Sequence, residues 1–251
     1  MSTKIRAVIF DTDGVLLDSA ALHAAAWKTA FDGCLDTWAS DDGRQPPFDA
    51  DREYRDLVDG KPRHDGALAF LAARRIALPG GAPDDPPGCG TVWAVAARKE
   101  QAFTETLRTR PVEPFDDVRP ALTRLRNQKV RCAAVSASRH ARSLLEAAGL
   151  AGLFDALVDG VDAGRLGLAG KPDPALFLEA ADRLGIAPAR AAVVEDALAG
   201  VEAGRRGRFG LVVGISRTNA ADAEAQLHAH GADAVFPDLT AVAERVCGAG
   251  P

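Results

Sequence analysis

Cysteine is scarce in this chain of 251 residues: Cys34, Cys89, Cys132 and Cys247 are its whole complement, and they lie far apart. No Cys-x-x-Cys spacing occurs, so neither a zinc site nor a disulfide framework is expected, and a reducing cytoplasm is the compartment that fits. Basic charge is also in deficit. Thirty Lys and Arg stand against 35 Asp and Glu, a formal net charge of −5, which excludes a nucleic-acid surface built on bulk charge. Long apolar runs are missing. Lys4 and Arg6 lead into a short hydrophobic stretch with no h-region behind it, so neither a secretory signal nor a membrane span is expected. Repeats and low-complexity tracts are absent as well. What is present is the composition of a folded protein, 47% apolar and 26% charged, in a chain long enough for a large α/β domain or a core with a smaller companion.

The second half of the chain alternates short apolar runs with helical patterns. Strands are expected over 5–10, 131–136, 156–159, 191–195 and 210–213, with a weaker one over 234–236. Asp173 and Pro174 read as an N-cap and a first-turn proline. Leu176, Phe177, Ala180, Ala181 and Leu184 follow at helical spacing, and Gly185 stops the run. Such alternation means a parallel sheet covered by helices on both faces, and ligands bind such sheets at the C-terminal ends of the strands. From about residue 20 to 110 the alternation breaks. Helical stretches near 22–31, 52–58, 65–75 and 92–107, separated by polar loops over 32–47 and 79–90, predict a small helical domain inserted after the first strand.

Four groups of residues could carry chemistry: three stand at or just past predicted strand ends, and Lys171 stands in a loop before a helix. Asp11 and Asp13 follow an apolar run, where burying charge is costly unless it is paired, metal-bound or functional. One carboxylate can attack phosphorus while the second handles protons; the plainer reading is an Asp-Gly turn. In "VSASRHA", residues 135–141, Ser136 ends a strand and Ser138 caps the next helix, whose free N–H groups suit a phosphate or make an ordinary cap. Lys171 in "GKPDP" can hold a phosphoryl oxygen or be a surface lysine. Glu195 and Asp196 in "VVEDALAG" offer hard oxygen ligands to Mg²⁺, or are first-turn acids favoured by the helix macrodipole. His228 and His230, two apart on a polar helix, do not share a face and read as solvated. Trp38 and Trp93 read as core of the insert, and His64 as a neighbour of its loop.

Taken in order, "DTDGVLLDS" (11–19), strand-end Ser136, "GKPDP" (170–174) and "VVEDALAGVEAG" (193–204) resemble the four motifs of the haloacid dehalogenase superfamily. The helical insert resembles its C1-type cap, and the match spans nearly the whole chain. The nearest likeness is the β-phosphoglucomutase-like branch. His23 and Trp27 stand where that branch has a histidine and a tryptophan on the first cap helix. "DGKPRHDG" (59–66) resembles its cap specificity loop, with Gly60 and Arg63 matching. Ala137, Ser138 and Arg139 lie in the segment that resembles its grip on sugar phosphates. Asp59 replaces a lysine of the branch, and His140 an asparagine.

The resemblance implies a three-layer, Rossmann-like parallel α/β core of residues 1–19 and 108–251 and an all-helical cap over 20–107. It implies Mg²⁺ held by Asp11, Asp196, Glu195 and the Asp13 carbonyl. Asp11 would be the nucleophile that forms an aspartyl-phosphate, Asp13 the general acid–base, and Ser136 and Lys171 the holders of the phosphoryl oxygens. The substrate would be a small phosphorylated metabolite, a sugar phosphate. Loss of the cap lysine at Asp59 turns the expectation toward phosphomonoester hydrolysis, with β-phosphoglucomutase as the alternative. The expected partners are that substrate alone, with no nucleic acid and no membrane, on a monomer or weak dimer. Carbon–halogen cleavage would leave Asp13 and the Glu195–Asp196 pair idle. A phospho-accepting receiver would place its acidic pair before, not after, its lysine.

Overall fold

The computed structural model describes residues 4–39, 45–217 and 221–248. The chain divides into two compact units, one of Met1–Asp18 with Glu113–Pro251 and one of Ser19–Val112. The first unit is built on six strands: β1 (Ala7–Asp11), β2 (Arg131–Val135), β3 (Ala156–Val158), β4 (Ala191–Glu195), β5 (Leu211–Ile215) and β6 (Ala234–Phe236). They form one parallel sheet in the order β3-β2-β1-β4-β5-β6. The chain runs outward from β1 to β3 and then crosses back to lay β4 on the other side of β1. The place where the order reverses is therefore the gap between β1 and β4, where open α/β sheets bind their ligands.

β1 is buried at every position, as the sequence "AVIFD" demands of a central strand covered on both faces. Ala7 and Ile9 join Leu176, Phe177, Ala180 and Val201 in one cluster, and strand alternation sends Val8 and Phe10 to the opposite face. The covering helices of this unit are Val118–Asn127, Ala141–Ala147, Gly160–Leu166, Ala175–Leu184, Leu198–Arg206, Ala221–Ala229 and Leu239–Cys247. Four details differ from the sequence reading. β1 ends on Asp11 and not before it, and β5 runs on to Ile215. Ser138 does not cap the helix that starts at Ala141; its Oγ accepts from the backbone N–H of His140 (3.2 Å), which is itself the N-cap residue. Asp173 stands one residue ahead of the N-cap position, held by Pro174, and accepts from Ala175 N (2.9 Å).

The second unit is helical, with no strand among its described residues. Its helices are α1 (Ala20–Asp32), α2 (Arg63–Ala73) and α3 (Val92–Thr109). Their apolar faces meet in a cluster of Trp27, Phe31, Trp38, Phe48, Phe70 and Val95, in which the rings of Phe31 and Phe70 stack 3.8 Å apart. The helix expected over 52–58 is a single π-helical turn, Tyr54–Val58, closed by Asp59 N donating to Tyr54 O (2.9 Å). Part of the polar loop expected over 32–47 lies outside the described residues.

The cysteine reading needs correction. Cys34, just past α1, is bonded to Cys89, in the loop before α3, across 55 residues of sequence. Spacing rules see only cysteines close in sequence, and these two are brought together by the packing of α1 against α3. With that bond in place, scattered cysteines no longer argue for a reducing compartment. Reduction should therefore destabilise the helical unit by about 2–4 kcal/mol, the usual effect of opening a loop of this size. The urea midpoint with and without reductant, and in the Cys34→Ser/Cys89→Ser double variant, measures it. Of the two free thiols, buried Cys132 has its pKa pushed up to about 12 by burial. No helix of the described residues is long and apolar enough to cross a membrane.

Candidate active site

β1 delivers Asp11, buried, to the sheet edge, and the next five residues turn back on themselves. Thr12 Oγ1 donates to the Val135 carbonyl (3.0 Å), tying the strand exit to β2. The Thr12 carbonyl accepts from Leu16 N (3.0 Å) and Leu17 N (2.9 Å), and Gly14 N donates to Leu17 O (2.9 Å). Gly14 sits at φ +79°, and a Cβ there would come within 1.9 Å of Asp196 Oδ2. Only glycine gives both the left-handed turn and the space for that carboxylate.

β4 delivers the second pair of acids. Glu195 is fully buried; its Oε2 accepts from Ala197 N (2.8 Å). Gly200, in the first turn of the helix Leu198–Arg206, makes room for it, since a Cβ there would lie 1.7 Å from Glu195 Oε1. Lys171 is buried between the two strands' acids and donates to both Asp11 Oδ1 and Glu195 Oε1; its ammonium also lies 4.9 Å from the centre of the Phe177 ring. On the β2 side, buried Ser136 donates to Asp13 Oδ2 (2.9 Å) and accepts from Ser138 N (2.9 Å).

Burial, aided by the charges of Glu195 and Asp13, pushes the Asp11 carboxyl well above the ordinary carboxylate range, against the pull of Lys171. Burial also works against the charge of Lys171, but Asp11 and Glu195 outweigh it and hold its pKa above the ordinary lysine value. One buried ammonium is thus shared by an acidic cluster with charge to spare. Lys171→Met leaves two buried carboxylates facing each other unpaired, and should cost about 3–5 kcal/mol, measured as a fall in the urea midpoint at neutral pH.

Oxygen atoms of Asp11, Glu195 and Asp196 lie within 4.8 Å of one another. Hard carboxylate oxygens and surplus negative charge are the donor set that a divalent cation such as Mg²⁺ takes. Asp11, Asp13, Ser136, Lys171, Glu195 and Asp196 are therefore brought together at the reversal point of the sheet.

The remaining expected residues are distributed otherwise. Arg139 is exposed, while Ala137 and Ser138 are half-buried in the loop after β2. His23, Trp27, Gly60 and Arg63 belong to the helical unit. Trp27 is part of its apolar cluster, Gly60 holds a positive φ of 70°, and Arg63 opens α2 with Glu100 3.8 Å away and its guanidinium over Trp93. His23 has a partner that sequence reasoning missed. Buried Lys99 on α3 lies 2.9 Å from His23 Nδ1, and the His23 ring stacks on Phe103 at 4.0 Å. Trp38 is buried and donates from Nε1 to the Cys89 carbonyl (3.0 Å), and His64 contacts Asp65 and Trp93. His228 Nδ1 meets the Ala232 carbonyl at 3.0 Å.

Comparison with known proteins bears on this geometry. The family described as haloacid dehalogenase-like hydrolase matches residues 5–208. The chain is 45% identical over 237 residues to a protein named "Beta-phosphoglucomutase" of Mycobacterium bovis, covering 94% of this chain and 90% of the relative. It is 28% identical to the "Phosphorylated carbohydrates phosphatase" of Thermotoga maritima, covering 84% of this chain and 85% of that one. Its fold is that of the crystal structure of beta-phosphoglucomutase from Clostridium difficile, with a TM-score of 0.71, 20% identity, and coverage of 95% and 93%.

Proposed function

Because the chain belongs to the haloacid dehalogenase-like hydrolase family, we propose that its sheet-edge cluster moves a phosphoryl group between a sugar phosphate and Asp11, and that the usual acceptor is a second hydroxyl of a phosphorylated sugar, making the enzyme a β-phosphoglucomutase. The observation that carries phosphoryl transfer is the paired arrangement of Lys171 on Asp11 and Ser136 on Asp13. It gives the two carboxylates different surroundings, and hence different roles. The mutase outcome is supported by the name of the Mycobacterium bovis relative, which aligns along both units.

In the first half-reaction a carboxylate oxygen of Asp11 bonds to phosphorus and the bond from phosphorus to the sugar oxygen breaks. Asp13 gives its proton to the leaving oxygen. Lys171 and Ser136 face the oxygens on which charge gathers, and stabilising that charge is most of the catalytic work in phosphoryl transfer. In the second half-reaction Asp13 takes the proton of the acceptor hydroxyl, whose oxygen bonds to phosphorus as the acyl-phosphate bond breaks and Asp11 returns to a carboxylate. A Mg²⁺ ion held by Asp11, Asp196 and Glu195 with the Asp13 carbonyl would offset negative charge between nucleophile and phosphate. Glu195, with both oxygens already accepting hydrogen bonds, also orients Lys171.

A second reading, hydrolysis, is favoured by Asp59, an acid in the turn before Arg63 where a second phosphate would want a cation. The test is incubation with β-glucose 1-phosphate and Mg²⁺. A small acyl phosphate is added to prime Asp11, and glucose 6-phosphate and inorganic phosphate are measured in the same sample and corrected for a sugar-free control. Glucose 6-phosphate should dominate. Inorganic phosphate released from the sugar as the main product assigns the chain to the phosphatases, and neither product removes the sugar-phosphate reading.

A further inference from the structure

Arg217 lies two residues past β5, and each nitrogen of its largely buried guanidinium donates a hydrogen bond. Nε donates to the Gly14 carbonyl (3.3 Å), Nη2 to the Val15 carbonyl (2.8 Å) and Nη1 to Asp117 Oδ2 (3.2 Å). The guanidinium carbon lies 3.6 Å from the centre of the Phe115 ring. The same neighbourhood holds the next residue of the turn, since Phe115 N donates to the Leu16 carbonyl (3.2 Å). Asp117 is anchored in turn, its Oδ2 accepting from Leu239 N (2.6 Å). Three successive carbonyls of the turn after Asp13 are therefore gripped from outside. On its inner side the same turn abuts the Asp196 carboxylate, which occupies the space a Cβ on Gly14 would need.

We infer that Arg217 is a positioning residue: by clamping the Gly14–Val15 backbone it fixes where Asp13 stands and keeps the space in which Asp196 lies. This rests on the phosphoryl-transfer reading above. The clamp needs arginine. A guanidinium is a planar fork that can serve two carbonyls and a carboxylate while stacking on a ring, whereas an ammonium is a point charge. Arg217 bonds the Gly14 and Val15 carbonyls and Asp117, so its effect passes through the turn. Misplacing a reacting group by about 1 Å costs about 10²-fold in rate.

The test compares wild type, Arg217→Ala and Arg217→Lys well below their melting temperatures. The expected result is a fall of about 10²-fold in kcat for R217A, with KM changed far less. R217K should recover only part of the loss. Guanidinium ion, at concentrations too low to denature, should raise the rate of R217A while ammonium does not. Binding of Mn²⁺, read from the free-ion electron paramagnetic resonance signal without substrate, should weaken in R217A because Asp196 loses its fixed place. Should R217A fail to fold, R217K reads the same quantities. A lowered melting temperature with wild-type kcat and wild-type Mn²⁺ affinity would overturn the inference and leave Arg217 an architectural clamp. If wild type itself acts on no sugar phosphate, the functional reading fails. The Mn²⁺ result then still decides the role of Arg217, weaker binding supporting it and unchanged binding overturning it.

Discussion

Asp11→Asn should yield a folded protein with no measurable turnover. The substitution changes one atom of a buried side chain and keeps an amide oxygen that can accept from Lys171, so packing around β1 is preserved. Burial already works against charge at this position, and a neutral amide relieves that cost while weakening the Lys171 pair. These two effects oppose each other, so the melting temperature should move far less than the activity. The amide oxygen cannot take over as nucleophile, and the neighbouring acids do not replace it. Asp13 is turned toward Ser136, and Glu195 is held by Lys171 and Ala197 N. The check is a melting curve beside a sugar-phosphate assay on the same preparation.

Asp13→Asn should lower kcat by about 10²–10⁴-fold, the range for losing a positioned general acid–base. The loss should depend on the leaving group. A sugar oxygen departs as an alkoxide and needs the proton, so β-glucose 1-phosphate should show the full effect. An acyl phosphate leaves as a stable carboxylate, so phosphorylation of Asp11 by it should be nearly spared. The second half-reaction needs a base whatever the donor, so D13N should accumulate phosphorylated protein. Comparing the two donors in a rapid-quench assay separates this from general damage to the site, which would slow both alike.

Most of the core unit was legible because its strands are short apolar runs with turn residues at both ends, and because parallel sheets gather chemistry at one edge. Asp11, Ser136, Lys171 and the Glu195–Asp196 pair could each be read as ordinary turn, cap or surface residues. Their order along the chain, with the acids and Ser136 at strand ends and Lys171 in the loop before a helix, decided otherwise, and the strand order, with β4 beside β1, is what brings Lys171's two acids into its reach. What was not legible depends on contacts between distant segments. Arg217 meets Gly14 across 203 residues. Arg217 lies in the loop beyond β5, where no local pattern names its partners. Lys99 meets His23 across 76 residues, and within α3 it reads as one more charge on a polar face. Cys34 and Cys89 were judged by spacing, which carries no information about a pair joined by helix packing. Trp27, placed by resemblance on the first cap helix, lies in the helical unit's own apolar cluster.

On the proposed function, the acceptor in the second half-reaction is a sugar hydroxyl or water. Both outcomes share one chemical event, the transfer of phosphorus to Asp11. The measurement that tests it most directly is peptide mass spectrometry of the Asp13→Asn protein, incubated with Mg²⁺ and a small acyl phosphate and quenched in acid. One phosphoryl group should be found on Asp11, removable by hydroxylamine as an acyl phosphate must be, and absent from the Asp11→Asn/Asp13→Asn double variant. A protein that stays unmodified, or carries the phosphoryl group on another residue, would contradict the account.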